Sequence, residues 1–159
     1  MTLANTLLER LANWRPQTAP ETLTVADEAG VWSAAVTAAA VDRVGAHLWE
    51  VTFRRANAAL DAAALKAWGE QIAGRVTGLL EPLRLLEVDD EQKVALLRSG
   101  KPGQRGEAVL YYEVRLTADG AATVQRFEAS HQPDTKRLQV EFTLTHEVLA
   151  KLASDVTAA

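Results

Sequence analysis

Three short runs carry residue types that could do chemistry. His146-Glu147 opens like the HExxH helix, in which two histidines one turn apart chelate zinc and the glutamate acts as base. The run here is HEVLA, so Ala150 stands where the second histidine must be. The chelate cannot form, and the pair reads as a first helical turn in which Glu147 complements the dipole. Asp89-Asp90-Glu91-Gln92 places three carboxylates side by side. A calcium loop needs spaced ligands and a glycine for its turn, which DDEQ lacks, so a solvated turn is the simpler reading. Residues 99–106, SGKPGQRG, combine glycines with basic side chains, as a phosphate cradle would. They match neither GxxxxGK[ST] nor GxGxxG, and they join two strands instead of leading into a helix.

The remaining polar residues form no relay. His47, His131 and His146 are scattered, and there is no GxSxG elbow. The chain has no cysteine, which removes thiolate catalysis, disulfides and cysteine-containing zinc sites. Arg84, Arg98, Arg115, Arg126 and Arg137 lie along expected strands and could line an anion site. Pairing across strands with Glu87, Glu113, Glu128 and Glu141 accounts for them more simply. We therefore assign no catalytic, cofactor-binding or metal-ligating residue. One candidate partner surface remains. If the 117–121 hairpin pairs in its expected register, Tyr111 lies opposite Phe127 on the polar face, with Arg115 beside them. Large apolar groups on such a face can mark a docking site.

The elements that would position these residues follow from periodicity. Residues 107–117, 121–129 and 137–144 alternate, with apolar side chains at even positions and mostly polar ones at odd positions. That pattern is an antiparallel meander with one buried and one wet face. TADGA at 117–121 puts glycine where a hairpin needs positive φ. Residues 131–135 make the next turn. Upstream, 22–27, 31–41 and 46–54 read as three strands. The second is apolar on both faces, which implies cover on both sides, although its alanines leave a helix open. The third should place His47, Trp49, Val51 and Phe53 on one face. Residues 83–88 and 93–98 form a hairpin around the acidic turn. Leu3, Leu7, Leu11 and Trp14 recur at helical spacing and end before Pro16. Thr145 caps a last helix with Val148, Leu152 and Val156 on its core stripe.

The chain is organised around a long central helix, 61–80, capped by Asp61 and stopped before Pro82. Leu65, Trp68, Ile72, Val76 and Leu79 fall on its core face. Ala63, Ala67, Gly74 and Gly78 fall opposite. Each interior glycine costs roughly 1 kcal/mol against alanine, a cost without compensation on a face that meets only water. The stripe is therefore expected to contact another helix, within the chain or across a homodimer.

A chain of 159 residues is expected to form one domain, 1–159. With 48% hydrophobic and 24% charged residues, it has an ordinary globular composition. A net charge of −4 argues against a nucleic-acid partner, which needs a basic footprint. No apolar run is long enough to span a membrane, and the N-terminus lacks a secretory pattern. A cytoplasmic location fits both points and the missing cysteine. Twelve arginines against five lysines, with abundant alanine, hint at a GC-rich bacterial gene.

These observations give an α+β fold: an antiparallel meander sheet with three helices, in the order α-βββ-α-βββββ-α. A helix-grip-like sheet curled around 61–80 is the alternative. The expected function is non-catalytic binding of a protein, as an adaptor or chaperone. The alternative is a small-ligand-binding protein with a pocket between sheet and central helix. In length, acidity and element order the chain resembles the small acidic chaperones of bacterial type III secretion. The resemblance covers the outline and no sequence motif, and the last sheet has more strands than that family usually shows. It implies a homodimer that carries an extended segment of another protein.

Overall fold

Strict alternation forces a strand to separate its wet and dry sides, and the sheet is built on that separation. The computed structural model describes residues 1–79, 81–99, 103–105, 108–130, 132 and 135–158. The elements are α1 (Leu3–Asn13), β1 (Glu21–Ala26), β2 (Trp32–Val41), β3 (Gly45–Arg55), α2 (Ala62–Arg75), β4 (Leu83–Asp89) and β5 (Val94–Ser99). They continue with β6 (Gly103–Arg105), β7 (Ala108–Thr117), β8 (Ala121–Ser130), β9 (Leu138–Val140), β10 (Phe142–Thr145) and α3 (His146–Thr157). The fold is α+β, as expected. Ten strands form one sheet in the order β1-β2-β3-β8-β7-β5-β4, with β6 beside β7, β9 beside β8 and β10 beside β3. Every pairing is antiparallel.

Four antiparallel steps separate β3 from β4, so those two strands run parallel and α2 is the crossover between them. It lies along β4, β5 and β7, while α1 packs on α3, β1 and β2. The three helices share the inner face, and the sheet does not close around α2. One contiguous core joins Leu7 and Leu11 of α1, Leu65 and Ile72 of α2, Leu149 of α3 and the sheet residues Val36, Val51, Phe53, Leu97, Val114 and Leu116. Each such side chain stabilises the fold by about 1.5–3 kcal/mol relative to exposure.

The central helix is shorter than 61–80. Asp61 caps it, accepting from the Ala64 amide at 2.8 Å, but it ends at Arg75. Gly74, the β-branched pair Val76-Thr77 and Gly78 make the last turns poor helix. Val76 and Leu79 still reach the core from the connection that follows. The glycine that admits a close neighbour is Gly69, where a Cβ would lie 2.9 Å from Leu85 Cδ1.

Three strand expectations need correction. In β2, Ala34, Val36 and Ala38 are buried while Ser33, Ala35, Thr37 and Ala39 are half-exposed. The outer side is thus wet, and alanine is small enough to tolerate that. In β3, the buried residues are Ala46 and Leu48, then Val51 and Phe53. The pairs Thr37↔Glu50 and Ala38↔Leu48 leave Trp49 opposite nothing, so a bulge there switches the faces. The expected strand 137–144 is two strands that change partner at Glu141. β3 and β8 pair only from Val51↔Val124 to Arg54↔Ala121. Past the bulge they part, and β9 joins β8 while β10 joins β3.

The 99–106 run contains β6, which pairs with β7, so it is not wholly a loop. Its Gly100, Lys101, Pro102 and Gly106 lie outside the described residues, as do His131, Pro133 and Asp134 of the next turn. No helix among the described residues is long and apolar enough to cross a membrane.

Candidate functional site

The inner face of β2 and β3 runs past the buried pair Ala34↔Phe53 to Trp32↔Arg55. Alternation keeps these two on the helix side. There they meet Ala64, Ala67, Trp68 and Gln71, a set at helical spacing on α2. With Leu60 and Gly120 they line an open-sided cleft of about 250 Å³. Trp32 and Trp68 stand 6.0 Å apart between ring centroids, tilted by 49°. The two small residues of α2 leave the room that larger side chains would fill.

The walls are fixed by hydrogen bonds. Trp68 Nε1 donates to the Val156 carbonyl at 3.1 Å, and Gln71 Nε2 donates to that of Ala158 at 2.7 Å. The 56–60 connection hangs from the β7–β8 turn, because the Arg55 amide donates to Gly120 O at 3.0 Å and the Leu60 amide to Ala118 O at 2.8 Å. Gly120 has φ +85°, and a Cβ there would lie 2.6 Å from that of Ala58. Arg54 pairs with Asp119, which also accepts from the Thr117 hydroxyl. The Thr117 hydrogen bond, then that from Arg54, holds the Asp119 carboxyl below its ordinary range. Arg55 itself is exposed and makes no ion pair among the described residues.

On the outer face, Tyr111 does lie opposite Phe127, with ring centroids 6.0 Å apart. The pair is not bare: the two residues are only 7% and 8% exposed. Arg98 sits over Tyr111 at 4.6 Å and Arg137 over Phe127 at 3.8 Å. Arg137 Nη1 also donates to Glu113 Oε1 at 2.9 Å and to the Tyr111 hydroxyl at 3.3 Å. Arg98 Nη2 lies 3.6 Å from the same carboxylate oxygen. Cation–π contact and a shared buried glutamate thus cover rings expected to meet solvent. Arg115 lies nearby, exposed and without an ion pair among the described residues. It borders a shallow polar hollow with Glu87, Asp89 and Gln125.

A second arginine cluster faces inward. Arg126 lies over Tyr112 at 4.3 Å and pairs with Glu81 at 3.1 Å. Burial pushes the Tyr112 hydroxyl above its ordinary pKa. Arg126 Nη1 and Glu81 Oε1 are buried without a partner.

The small-residue stripe does not form one helix face. Ala63, Ala67 and Gly74 are exposed on α2, with Ala67 in the cleft wall. Gly78 lies beyond the helix, where a Cβ would be 3.2 Å from Val148 Cγ1. Among the described residues, nothing lies within 4 Å of a Cβ placed at Gly74, so no helix packs there. Asp89 Oδ1 accepts from the Glu91 and Gln92 amides at 2.9 and 3.0 Å, which makes the acidic run an ordinary turn. His146 is buried in the first turn of α3 and His47 bonds the Thr143 hydroxyl, so the two serve separate places.

The sequence offers a pocket between sheet and central helix as the alternative, but it assigns none of the residues that line this cleft to ligand binding. The available signal was Trp68 flanked by Ala64 and Ala67 on the helix that follows an alternating strand ending in Arg54-Arg55. Comparison of the chain with protein-family models, curated proteins and solved structures gives no match.

Proposed function

We propose that this chain is a non-catalytic binding protein that holds a small apolar molecule between α2 and the β2–β3 end of the sheet. The observation that carries this reading is the cleft. It is concave and mostly apolar, with a few fixed polar groups, as small-molecule sites are. Its lining supplies two indoles, a guanidinium and an amide, and no nucleophile or general base. Its volume, about 250 Å³, lies just under the ~300–1,000 Å³ of sites for drug-sized ligands, which suits a body of one or two rings.

Naphthalene-type neutral probes should quench the Trp32 and Trp68 emission saturably. Ala64→Leu or Ala67→Leu fills the cleft while keeping a strong helix former at a position outside the core. Either should weaken the probe by about tenfold, the loss of some 1.4 kcal/mol. A linear, non-saturating response, or full binding by both variants, would remove the cleft as the site.

A second reading, an adaptor or chaperone for a protein segment, is supported by the outer face of the sheet, which no helix among the described residues covers. Tyr111 and Phe127 under their arginines, with Arg115 free beside them, would form its centre. In a homodimer, Ala63 and Gly74 would be the place for a second copy. Sedimentation of the wild type and of Gly74→Leu tests the dimer, and a single monomer species for both would end it.

A further inference from the structure

We infer that the molecule held in this cleft is a small aromatic or alicyclic carboxylic acid, bound as a monoanion through Arg55; the inference rests on the cleft being the binding site. Of the strand arginines without an ion pair among the described residues, which are Arg55, Arg84 and Arg115, Arg55 is the one that lines the cleft. Arg54 pairs with Asp119, Arg126 pairs with Glu81, and Arg98 and Arg137 share Glu113. Arg55 has no such partner among the described residues, and no carboxylate lines the cleft. A chain of net charge −4 therefore carries a cationic group in a mostly apolar cleft. Asp119, beside the cleft residue Gly120 in the β7–β8 turn, is already occupied by Arg54 and Thr117.

The form of the anion follows from the donors. A guanidinium fork matches a carboxylate with two parallel hydrogen bonds. A phosphate would call for further donors, and several of the backbone amides beside Arg55 are already used. The amides of Arg55, Ala56 and Leu60 are spent on the carbonyls of Gly120, Val31 and Ala118. The Trp68 N–H is spent on Val156. The two indole rings supply flat apolar walls for a ring-shaped body. The volume, about 250 Å³, matches such a body better than a long acyl chain or a dinucleotide.

The test compares 1-naphthoate with its neutral isostere 1-naphthamide by calorimetry, on the wild-type chain and on Arg55→Gln. Wild type should bind the acid about tenfold more tightly than the amide, as one charge-assisted contact gives. Arg55→Gln should abolish that preference by weakening the acid about tenfold more than the amide. Arg55 is exposed at a strand end, so the variant keeps the fold, which its melting curve verifies. Equal affinity for acid and amide in the wild type would overturn the inference while sparing the cleft. A preference that survives Arg55→Gln would also overturn it, by placing the anion elsewhere. Binding of neither probe would overturn the cleft reading and this inference with it.

Discussion

Tyr111 and Tyr112 are consecutive residues of β7, each under a guanidinium, and the two faces of the sheet treat them differently. Outside, one buried carboxylate, Glu113, serves two arginines whose side chains remain 39% and 42% exposed. Inside, Arg126 and Glu81 are matched one to one, at 14% and 16% exposure; each keeps a buried arm without a partner, as the outer Arg98 does at its Nε. The outer arginines can turn to water if their glutamate is lost. The inner one cannot. The comparison teaches that similar contact lists differ in energetic weight according to where the charge can go when the contact breaks.

The largest effect should come from breaking the inner pair on one side. Glu81→Ala strands Arg126 and should lower unfolding free energy by about 3 kcal/mol in urea titration. Replacing both, Arg126→Met with Glu81→Leu, should recover stability to within about 1 kcal/mol of wild type, because an apolar pair has no charge to desolvate. Glu113→Ala should cost less, about 1–2 kcal/mol, since the freed arginines hydrate. A cost equal to that of Glu81→Ala would break the comparison.

A pH series sharpens it. Burial raises the folded-state pKa of Tyr112 above its unfolded value. Its contribution is therefore fully present below the ordinary tyrosine range and is lost as pH rises through the folded value. Alkaline urea melts should show that loss, and Tyr112→Phe should flatten it. The smallest effect belongs to Tyr111→Phe. It removes one 3.3 Å hydrogen bond from Arg137 and should cost under about 1 kcal/mol by the same melts.

What could be read from the sequence was whatever local rules fix. Alternation gave the sheet faces of β7 and β8, and the glycine turn at 117–121 set the register that puts Tyr111 opposite Phe127. Asp61 and Thr145 cap their helices as side-chain chemistry requires. What escaped depends on distant partners. The rings on the outer face are covered because Arg98 and Arg137 converge from separate strands, which no window along the chain shows. The Trp49 bulge breaks the alternation of β3 because β9 and β10 must fit between β3 and β8, a matter of sheet geometry. The Arg75 stop overrides an apolar stripe that continues past it. The cleft needed Trp32, Arg55 and Trp68 at once, and these belong to three elements.

The short loop that follows Arg55 is suspended from the tip of a hairpin in the second half of the chain, through the Arg55 and Leu60 amides and the glycine that lets the two backbones touch. Nothing in its own neighbourhood along the sequence holds it so firmly. A guest beside Trp68 would therefore be felt at residues 117–121, and the exchange rates of those two amide protons make a gauge of occupancy that needs neither a dye nor a mutation.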